Sequence, residues 1–477
     1  MVPKLVVGIA LVYISVEIVS AATDKVVCYH GIWSAYRRGN GRFTVEDIDP
    51  TLCTHLIYSF VGITDDGSVR HLEENLDINQ GNIKRFNALK QKNKNLKTLL
   101  AIGGWNEGSL RYSNVAASAS KRANFIKSAL NLVRSYGFDG FDLDWEYPGQ
   151  RGGAAVDKQN FAILIKEFRT EFDKHGLLLT AAVAATSGSV DLSYDVPALS
   201  KYLDLINVMA YDLHGSWDDV TGQNAPLYPS SVDVTANQKL LTVDAAIRGW
   251  IQRGANPQKI ALGLGVYGRT YTLANPNNNN IGAVVSNPGH AGEYTGEAGM
   301  LGYNEIVELQ KEGGWTVKFD DNQKTPYMYK GNQWVGFDNP RSISIKTEYA
   351  KSLNLGGVMI WSIETDDFKG ISGTKYPILR TINQALGNTA NENLVPDPAP
   401  EPAPAPESEP EPAPQPSTDI GNVCSKVGYV RDPNDCSIFY YCLHHNGAFI
   451  PLEQRCNSGL VFDEANLRCD YPSIVQC

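Results

Sequence analysis

The sequence predicts an α/β protein: a (β/α)₈ barrel with an α+β insertion between its seventh and eighth strands, followed by a small disulfide-rich β module. Three observations support this fold. Eight short apolar runs alternate with segments of helical period, the interval between the last two runs is unusually long, and six of the eight cysteines lie beyond residue 420.

The eight runs are apolar and rich in β-branched residues, as buried strands are. They lie at residues 26–29, 55–60, 98–102, 141–144, 178–184, 205–209, 260–264 and 358–361. Helical periodicity between several of them, for example at 123–136 and 161–172, indicates parallel strands joined by helices. A doubly wound open sheet is the alternative, and the lack of a G-x-G-x-x-G sequence after the first run argues against its nucleotide-binding form.

The seventh and eighth runs are separated by about 90 residues, whereas most other intervals are about 25 to 50. The long interval contains strand-like stretches at 316–319 and 327–329. We interpret residues of about 268–338 as an inserted α+β subdomain that raises one wall beside the barrel mouth.

The sequence divides into a predicted signal peptide at 1–21, the barrel at 23–388, a Pro/Glu-rich linker at 389–419 and a tail module at 420–477. A basic start, a short apolar run and small residues are typical of a signal peptide. A membrane anchor is the alternative, but Glu17 interrupts the run, and a span needs about 20 apolar residues. Ten prolines between residues 396 and 416 predict an extended spacer.

Cysteine content and net charge limit the environment and the partners. Eight cysteines after a signal peptide predict disulfides, and the tail cysteines include no C-x-x-C pair, which argues against zinc. A net charge of −10 argues against nucleic acid and anionic membrane as partners. We expect a secreted, extracellular and soluble monomer that has no membrane contact, no metal and no cofactor.

The segment 136–148, with the sequence YGFDGFDLDWEYP, carries the candidate chemistry. With the period of two that a strand imposes, Asp142, Asp144 and Glu146 project to one side and the large apolar residues between them to the other. In a barrel the acidic side faces the interior and climbs towards the C-terminal mouth, where barrel enzymes perform chemistry. Asp139 does not follow this alternation, so we predict a structural role for it.

Three carboxyl groups in a confined site do not all ionise, because repulsion and desolvation raise at least one pKa. The result is a protonated acid, which is what protonation of a glycosidic oxygen requires. A divalent metal site is the alternative. The row lacks the glycine and the spacing of an EF-hand loop, and Mg²⁺ usually also needs a phosphate partner.

The pattern Asp139-x-x-Asp142-x-Asp144-x-Glu146 resembles the signature of family 18 glycoside hydrolases, the chitinases and chitinase-like lectins. The resemblance extends over nearly all of residues 24–388. Its other motif residues are Tyr29, Trp33, Phe60, the Gly-Gly-Trp-Asn sequence at 103–106, Met209, Tyr211, Asp212, Tyr267, Arg269 and Trp361. It implies a disulfide between Cys28 and Cys53, whereas the second barrel disulfide of vertebrate members has no cysteines here.

The resemblance implies a retaining, substrate-assisted hydrolysis, an exception to the two-carboxylate scheme of most glycosidases. Glu146 would act first as general acid and then as base, and the substrate's own N-acetyl carbonyl would attack the sugar carbon to give an oxazolinium ion. Asp144 would stabilise that ion, Asp142 would share a proton with Asp144, and Tyr211 would hold the acetamido oxygen.

Aromatic side chains at strand ends are candidates for sugar binding, because they offer flat platforms to the C–H faces of sugar rings. With the family resemblance they give the candidate substrate-binding residues Tyr29, Phe60, Trp105, Met209, Asp212, Trp217, Tyr267, Arg269 and Trp361. Trp361 is the candidate floor of the subsite beside the scissile bond. Core packing is the alternative for any tryptophan. It fits four of them better, namely Trp145, Trp250, Trp315 and Trp334.

Six tail cysteines compensate for a core too small to fold alone, and their spacing allows fifteen pairings. The segment 432–442, DPNDCSIFYYC, and the Val-Phe-Asp at 461–463 resemble a peritrophin-A (family 14) chitin-binding module. That family's pairing implies the disulfides Cys424–Cys442, Cys436–Cys477 and Cys456–Cys469. The candidates for chitin contact are Phe439, Tyr440, Tyr441 and Phe462, of which at least two are assigned to the small core.

Together these features predict a secreted chitinase whose partners are chitin and N-acetylglucosamine oligomers. A chitin-binding lectin without catalysis is one alternative. The presence of Glu146, Asp144 and Tyr211 argues against it, since inactive relatives usually lose the acid. An endo-N-acetylglucosaminidase acting on N-glycans is another alternative; it would share the acid strand but would not need the tail.

Overall fold

Strands and helices alternate through the first part of the chain. In chain order the strands are β1 (Lys25–Gly31), β2 (His55–Ile63), β3 (Val69–His71), β4 (Lys97–Gly103), β5 (Gly140–Asp144), β6 (Leu178–Ala184), β7 (Leu205–Met209), β8 (Ile260–Gly265), β9 (Tyr267–Leu273), β10 (Val285–Pro288), β11 (Met300–Gly302), β12 (Thr316–Asp320), β13 (Thr325–Lys330), β14 (Gln333–Gly336) and β15 (Gly357–Trp361). The helices are α1 (Asn82–Lys92), α2 (Leu110–Ala116), α3 (Ala119–Tyr136), α4 (Asp157–Phe172), α5 (Ser187–Ser193), α6 (Val196–Tyr202), α7 (Ala236–Lys239), α8 (Val243–Gln252), α9 (Tyr303–Glu312), α10 (Pro340–Ser352) and α11 (Pro377–Leu386).

The structure, a computed structural model, describes residues 23–388, 424, 428–445, 448–456, 461–464 and 468–470. The chain forms two compact units, one up to residue 395 and one from residue 396 onwards. The predicted signal peptide at 1–21 and linker at 389–419 lie outside the described residues. Within the described ranges, no helix has both the length and the apolar character needed to span a membrane.

Eight parallel strands close into a barrel. Their spatial order is β1-β15-β8-β7-β6-β5-β4-β2, and the pairing of β1 with β2 completes the circle. Each of the eight predicted runs lies within one of these strands. The (β/α)₈ barrel prediction is therefore confirmed, and the open-sheet alternative is wrong because β1 pairs with the last barrel strand, β15, on one side and with β2 on the other, so that the sheet closes.

The apolar phase of β5 packs under the helices. Phe141 lies 6.2 Å from Phe125 of α3 and 5.8 Å from Phe168 of α4, measured between ring centroids. Beyond the strand, Trp145 lies 5.7 Å from Phe161 of α4 in an edge-to-face contact. Since side chains alternate along a strand, these contacts turn the intervening residues of β5 towards the barrel interior.

The chain enters β5 through a tightly specified turn. Helix α3 ends at Gly137, whose φ of +73° is the left-handed conformation that glycine adopts without a Cβ clash. The Asp139 carboxylate then accepts hydrogen bonds from the Thr98 backbone amide (2.8 Å) and the Lys90 ammonium (2.9 Å). Asp139 thus fixes the N-terminal end of β5 against β4, which is the structural role that its phase predicted.

The α+β insertion between the seventh and eighth barrel strands, β8 and β15, is also confirmed. It consists of helix α9 and an antiparallel sheet with the order β10-β9-β14-β13-β12, in which β11 also pairs with β9. The predicted strands at 316–319 and 327–329 fall within β12 and β13. One face of this sheet has a separate small core, formed by Tyr271, Leu273, Ala283, Tyr327 and Trp334.

The tail unit contains a three-stranded antiparallel sheet and a strand pair. The sheet comprises β16 (Gly428–Arg431), β17 (Ile438–His445) and β18 (Ala448–Arg455), and the pair comprises β19 (Val461–Asp463) and β20 (Arg468–Asp470). The Phe439 and Phe462 rings stack at 4.0 Å and are buried. Both therefore serve the core, as at least two of the four candidate aromatics were expected to do.

Cys424 and Cys442 form a disulfide in this unit. Cys436 and Cys456 are each disulfide-bonded as well. The pairings implied for them involve the side chains of Cys477 and Cys469, which lie outside the described residues, as does the side chain of Tyr441. In the barrel, Cys28 and Cys53 form the disulfide that links β1 to the segment before β2.

Candidate active site

The three acidic residues lie at the C-terminal end of β5 and just beyond it. Asp142 and Asp144 belong to the strand and are buried, whereas Glu146 follows two positions later and is half-buried. The peptide bond between Glu146 and Tyr147 is cis. Burial therefore decreases along the row, from the barrel interior to its mouth.

Asp142 is held by side chains from three other barrel strands. Its carboxylate accepts hydrogen bonds from the Tyr29 hydroxyl of β1 (2.7 Å), the Asn207 amide of β7 (3.3 Å) and the Thr180 hydroxyl of β6. Burial raises the pKa of Asp142 to about 6, and these three donors limit the rise. Asp142 is thus a carboxyl group that exchanges its proton near the pH of mildly acidic solutions.

Asp144 has the most perturbed environment of the row. Its Oδ1 atom is buried and has no hydrogen-bond partner among the described residues. Burial raises the pKa of Asp144 well above its usual range, and repulsion from Glu146 and then from Asp142 raises it further. The raised pKa favours the protonated form of Asp144, and its Oδ1 is a polar atom available to a ligand.

Glu146 is the acid nearest to solvent. Burial raises its pKa to about 7. A hydrogen bond from Tyr147 and the charge of Arg151 lower the pKa, whereas the charge of Asp212 raises it. Below neutral pH, Glu146 is accordingly a protonated carboxyl group at the barrel mouth, the form that a general acid needs.

Two glycines of the Gly-Gly-Trp-Asn motif let β4 approach the acid strand. A Cβ atom on Gly103 would lie 2.1 Å from the Asp144 carbonyl oxygen, and one on Gly104 would lie 2.6 Å from the Phe60 ring. The φ angles of +112° and +79° at these positions also favour glycine. The Gly104 amide donates to the Asp144 carbonyl at 2.9 Å, so the motif fixes the backbone under the acid row.

The end of β7 contributes a second polar group to the barrel interior. The Tyr211 ring is buried, and its hydroxyl has only the Met359 sulfur, at 3.9 Å, as a hydrogen-bond partner among the described residues. Burial raises the pKa of Tyr211 well above its usual range, and the neighbouring Tyr267 raises it further. The hydroxyl is therefore a permanent donor with capacity for another acceptor. Met209, at the end of β7, is buried below it.

Asp212, just beyond β7, is hydrogen-bonded to two side chains of β9 and to one side chain of a loop. It adopts a φ of +55° and accepts hydrogen bonds from the Tyr267 hydroxyl (2.6 Å) and from Nε of Arg269 (2.7 Å). Its own amide donates to Asn224 at 2.9 Å. Asp212 is consequently both an orienting group for its neighbours and a negative charge close enough to raise the pKa of Glu146.

Four aromatic rings form a wall on the opposite side of the barrel mouth. Phe60 and Trp361 stack at 5.8 Å, Trp33 lies about equally close to both at 6.2 and 6.1 Å, and Tyr29 lies 5.6 Å from Trp361. Trp361 is half-buried at the end of β15, whereas Trp33 is 39% exposed. We call this set the aromatic wall; it offers flat apolar surface beside the carboxyl groups.

Two further tryptophans project from the mouth, and an arginine covers each. Trp105 is 57% exposed and lies 3.5 Å below the Arg151 guanidinium. Trp217 is also 57% exposed, and the Arg269 guanidinium lies 5.1 Å above its ring. Cation–π contacts of this kind hold exposed rings in a fixed orientation.

Several contributing residues were missed by sequence reasoning. Asn207 and Thr180 hold Asp142, while Arg151 donates to the Glu146 carbonyl at 3.0 Å and to the Trp105 carbonyl at 2.8 Å. A signal for Asn207 existed, since an amide within the apolar run at 205–209 must have a buried partner. For Arg151 no local pattern gave a signal, because its contacts depend on the fold of a loop.

The expectations for the other tryptophans were right in three cases. Trp145, Trp250 and Trp334 are buried in the core. Trp315 was expected to fill the core as well; it is half-buried, packs against the main core on one part of its surface and also lines a cavity in the insertion. His214 pairs with Asp218 at 3.1 Å.

The closed barrel, the protonatable carboxyl at its mouth and the flanking aromatic groove define a glycoside hydrolase. Residues 25–366 match the family model for glycosyl hydrolases family 18, and the chain belongs to that family. Residues 424–477 match the model for the chitin binding Peritrophin-A domain. The part of the chain that the structure describes holds no group of three His, Cys, Asp or Glu side chains placed to bind a metal ion.

Known proteins resemble the chain over most of its length. Chitotriosidase-1 of Mus musculus is 40% identical over 463 residues, which covers 93% of this chain and 94% of that protein. The structure of Ostrinia furnacalis Group IV chitinase in complex with allosamidin has a TM-score of 0.75 at 48% identity and covers 76% of this chain and 99% of its own. Human YKL-39, described as a pseudo-chitinase with retained chitooligosaccharide binding properties, has a TM-score of 0.71 at 38% identity, with 76% and 99% covered. The barrel is thus a glycoside hydrolase of the chitinase type.

Proposed function

We propose that the protein is a secreted chitinase that hydrolyses the β-1,4 bonds of chitin by a retaining, substrate-assisted mechanism. One observation carries the proposal. Glu146, with a pKa raised to about 7, stands at the barrel mouth beside Asp144, whose buried Oδ1 has no partner among the described residues. A proton donor and an unsatisfied polar atom side by side suit a substrate with a basic bridging oxygen and an adjacent amide.

In the first step, protonated Glu146 gives its proton to the glycosidic oxygen as the bond to the sugar carbon breaks. The acetamido carbonyl oxygen of the same sugar forms the new bond to that carbon and gives an oxazolinium ion. Tyr211 donates a hydrogen bond to the acetamido oxygen and keeps it in attacking position, since its hydroxyl has spare capacity.

Asp144 stabilises the positive charge that develops on the acetamido group. It accepts the amide N–H, and the developing positive charge lowers the pKa of Asp144, so that its proton passes to Asp142, whose pKa is about 6. The ionised Asp144 then faces the cation in a water-poor site, where electrostatic stabilisation is strong. In the second step, the Glu146 carboxylate takes a proton from water, which attacks the sugar carbon and restores its configuration. The bond from that carbon to the acetamido oxygen breaks, and the proton on Asp142 returns to Asp144.

The aromatic side chains provide the substrate groove. In this proposal Trp361 forms the floor of the subsite that holds the distorted sugar, and the exposed rings of Trp105 and Trp217 support the sugars beyond it. The remaining groove residues are Tyr29, Phe60, Met209, Asp212, Tyr267 and Arg269. The tail module binds the same polymer and raises the local concentration of the barrel on an insoluble surface.

The decisive experiment replaces the acid. Glu146→Gln should reduce the release of reducing ends from chitin hexamer by at least about 10³-fold, because general acid catalysis and the second-step base are both lost. Binding of the hexamer should persist. Glu348→Gln, which changes an exposed glutamate of α10 paired with Lys351, is the matched control and should retain full activity.

The outcomes separate this proposal from its alternative. Near-wild-type hydrolysis by Glu146→Gln would remove Glu146 from its role. A wild-type chain that binds hexamer and releases no reducing ends would instead be a chitin-binding lectin. The anomeric form of the first products, followed by NMR, tests retention directly, since inversion would exclude the oxazolinium route.

Secretion is supported by the signal-peptide pattern at 1–21 and by the peritrophin-A domain. Expression of the full chain in insect cells should deliver to the medium a protein whose N-terminus begins after Ala21 or Ala22. Retention of an uncleaved chain in the cell pellet would contradict this part of the proposal.

A further inference from the structure

The insertion contains a cavity that the proposed mechanism does not use. It has a volume of about 210 Å³ and lies between β9, helix α9 and the loop around residues 290–294. Its lining belongs to the described residues and includes none of the acid row, the aromatic wall, Trp105 or Trp217. At about 30 Å³ per water molecule it offers the room of about seven waters, which suits a single sugar ring.

The lining of this cavity is negatively charged. Glu293, Glu305, Glu308 and Glu312 line it, and no lysine or arginine does. None of the four forms an ion pair with a lysine or arginine of the described residues. Glu293 and Glu312 are exposed, so the mouth of the cavity carries uncompensated charge. A cavity of this kind attracts a cationic ligand.

A buried hydroxyl points to a ligand independently of the charge. Thr270 is 2% exposed, and its Oγ1 has no hydrogen-bond partner among the described residues. Thr270 pairs with Val335 of β14, so both side chains lie on the same sheet face, and both line the cavity. A buried hydroxyl without a partner is destabilising, and a ligand hydroxyl would offset this cost.

An aromatic ring and a carboxylate with spare capacity complete the lining. Trp315 is half-buried at the cavity, where its face can meet either sugar C–H groups or a cation. The Glu308 oxygens accept one hydrogen bond each, from Tyr294 (2.7 Å) and Asn40 (2.9 Å). Since a carboxylate oxygen accepts two, Glu308 can still receive an ammonium group.

We propose that this cavity binds one glucosamine residue, the cationic sugar of deacetylated stretches of chitin. Its ammonium group meets Glu308 and Glu312, its C–H face lies against Trp315, and a ring hydroxyl satisfies Thr270. The source of the ligand rests on the proposed function, since a chain that binds chitin also meets its deacetylated units. The cavity would then let the barrel hold partly deacetylated polymer outside the catalytic groove.

The test uses the full chain carrying Glu146→Gln, with saturating N-acetylglucosamine hexamer to fill the catalytic groove and the tail. Glucosamine tetramer is then titrated by calorimetry. We expect one additional site, weakened at least tenfold by Glu312→Gln combined with Trp315→Ala and unchanged by Glu348→Gln. Absence of the site, or equal affinity for N-acetylglucosamine tetramer, overturns the proposal.

Thr270→Val separates binding from folding. It removes the unpartnered hydroxyl and keeps the shape, so the thermal unfolding midpoint should stay or rise while tetramer affinity falls severalfold. Unchanged affinity would remove Thr270 from the site. The titrations use a chain that lacks the catalytic acid, so their result does not depend on whether Glu146 performs hydrolysis. In the same way, the result of the hydrolysis assays does not depend on whether an additional site is found.

Discussion

The two ends of β5 carry the same side chain and place it in opposite environments. At the N-terminal end, the Asp139 carboxylate accepts hydrogen bonds from Thr98 and Lys90. At the C-terminal end, Asp144 is buried, and its Oδ1 has no hydrogen-bond partner among the described residues. The first arrangement stabilises the fold, and the second leaves an interaction for a ligand to complete, as expected for the bottom and the top of a barrel.

The contrast shows how one strand can carry both stability and chemistry. A buried carboxyl group without partners costs about 1–3 kcal/mol, and the usual remedy is a donor of the kind that Asp139 has. Asp144 instead keeps a proton, because burial and the neighbouring acids raise its pKa. The pKa of Asp144 therefore depends on the other two acids, whereas the hydrogen bonds of Asp139 come from β4 and α1.

Of the two aspartates at the ends of β5, Asp144 should have the larger effect on turnover when it is replaced. Asp144→Asn keeps the shape and cannot carry the negative charge that faces the oxazolinium ion, so kcat on chitin hexamer should fall by at least about hundredfold. The folded chain should lose no stability. Since the folded-state pKa is raised, wild type loses stability as pH rises towards that pKa, and the asparagine variant does not.

Initial rates and thermal unfolding midpoints at pH 6 and pH 8 check both halves of this expectation. A variant that retains turnover would show that the unpartnered carboxyl group is not used in catalysis. A variant that loses turnover only because its midpoint collapses would make Asp144 structural, like Asp139.

Asp139→Asn should produce the reverse pattern, with a smaller effect. It removes the charge that binds the Lys90 ammonium and weakens the hydrogen bond from the Thr98 amide. The free energy of unfolding should fall by about 1–3 kcal/mol, while kcat stays within about twofold of wild type. Urea denaturation followed by tryptophan fluorescence measures the first quantity. A loss of kcat as large as that of Asp144→Asn, in a chain of normal stability, would erase the distinction between the two ends.

The barrel, and the side of β5 on which the acid row lies, could be predicted from the sequence alone. Buried parallel strands are continuous apolar runs, and the eight runs found in the sequence are the eight barrel strands. Alternation along 141–146 separated the residues that pack on α3 and α4 from those that face the interior. The insertion was recognisable because a strand-to-strand interval of that length exceeds what one helix and its loops need.

Local sequence patterns did not predict the contacts between distant parts of the chain. Asn207 and Tyr29 reach Asp142 only because β7 and β1, which do not pair with β5, direct these side chains into the same barrel interior. Trp315 packs against the core as predicted, but the cavity that it also lines could not be predicted from its apolar character alone. The roles of the site residues and the exact domain limits remain predictions.

The smallest predicted effect is a shift in the pH dependence of kcat/KM when Arg151, a neighbour of Glu146, is replaced. Since Glu146 must be protonated to act as an acid, kcat/KM should fall as pH rises through an apparent pKa near 7, which belongs to the whole acid row. Arg151 is a cation that lowers the pKa of Glu146. Arg151→Gln should therefore move the alkaline limb to higher pH. The shift should be roughly a few tenths of a unit, because Arg151 is exposed and its charge is screened.

Arg151→Lys distinguishes charge from shape in this effect. Lysine keeps the positive charge, so the alkaline limb should stay near its wild-type position, while KM rises because the planar contact over Trp105 is lost. Arg248→Gln, which changes an exposed arginine of α8 paired with Asp244, should leave both the limb and KM unchanged. An alkaline limb that moves to lower pH in Arg151→Gln would mean that the guanidinium acts by holding Trp105 and the Glu146 backbone, and that its charge does not set the acidity of the row.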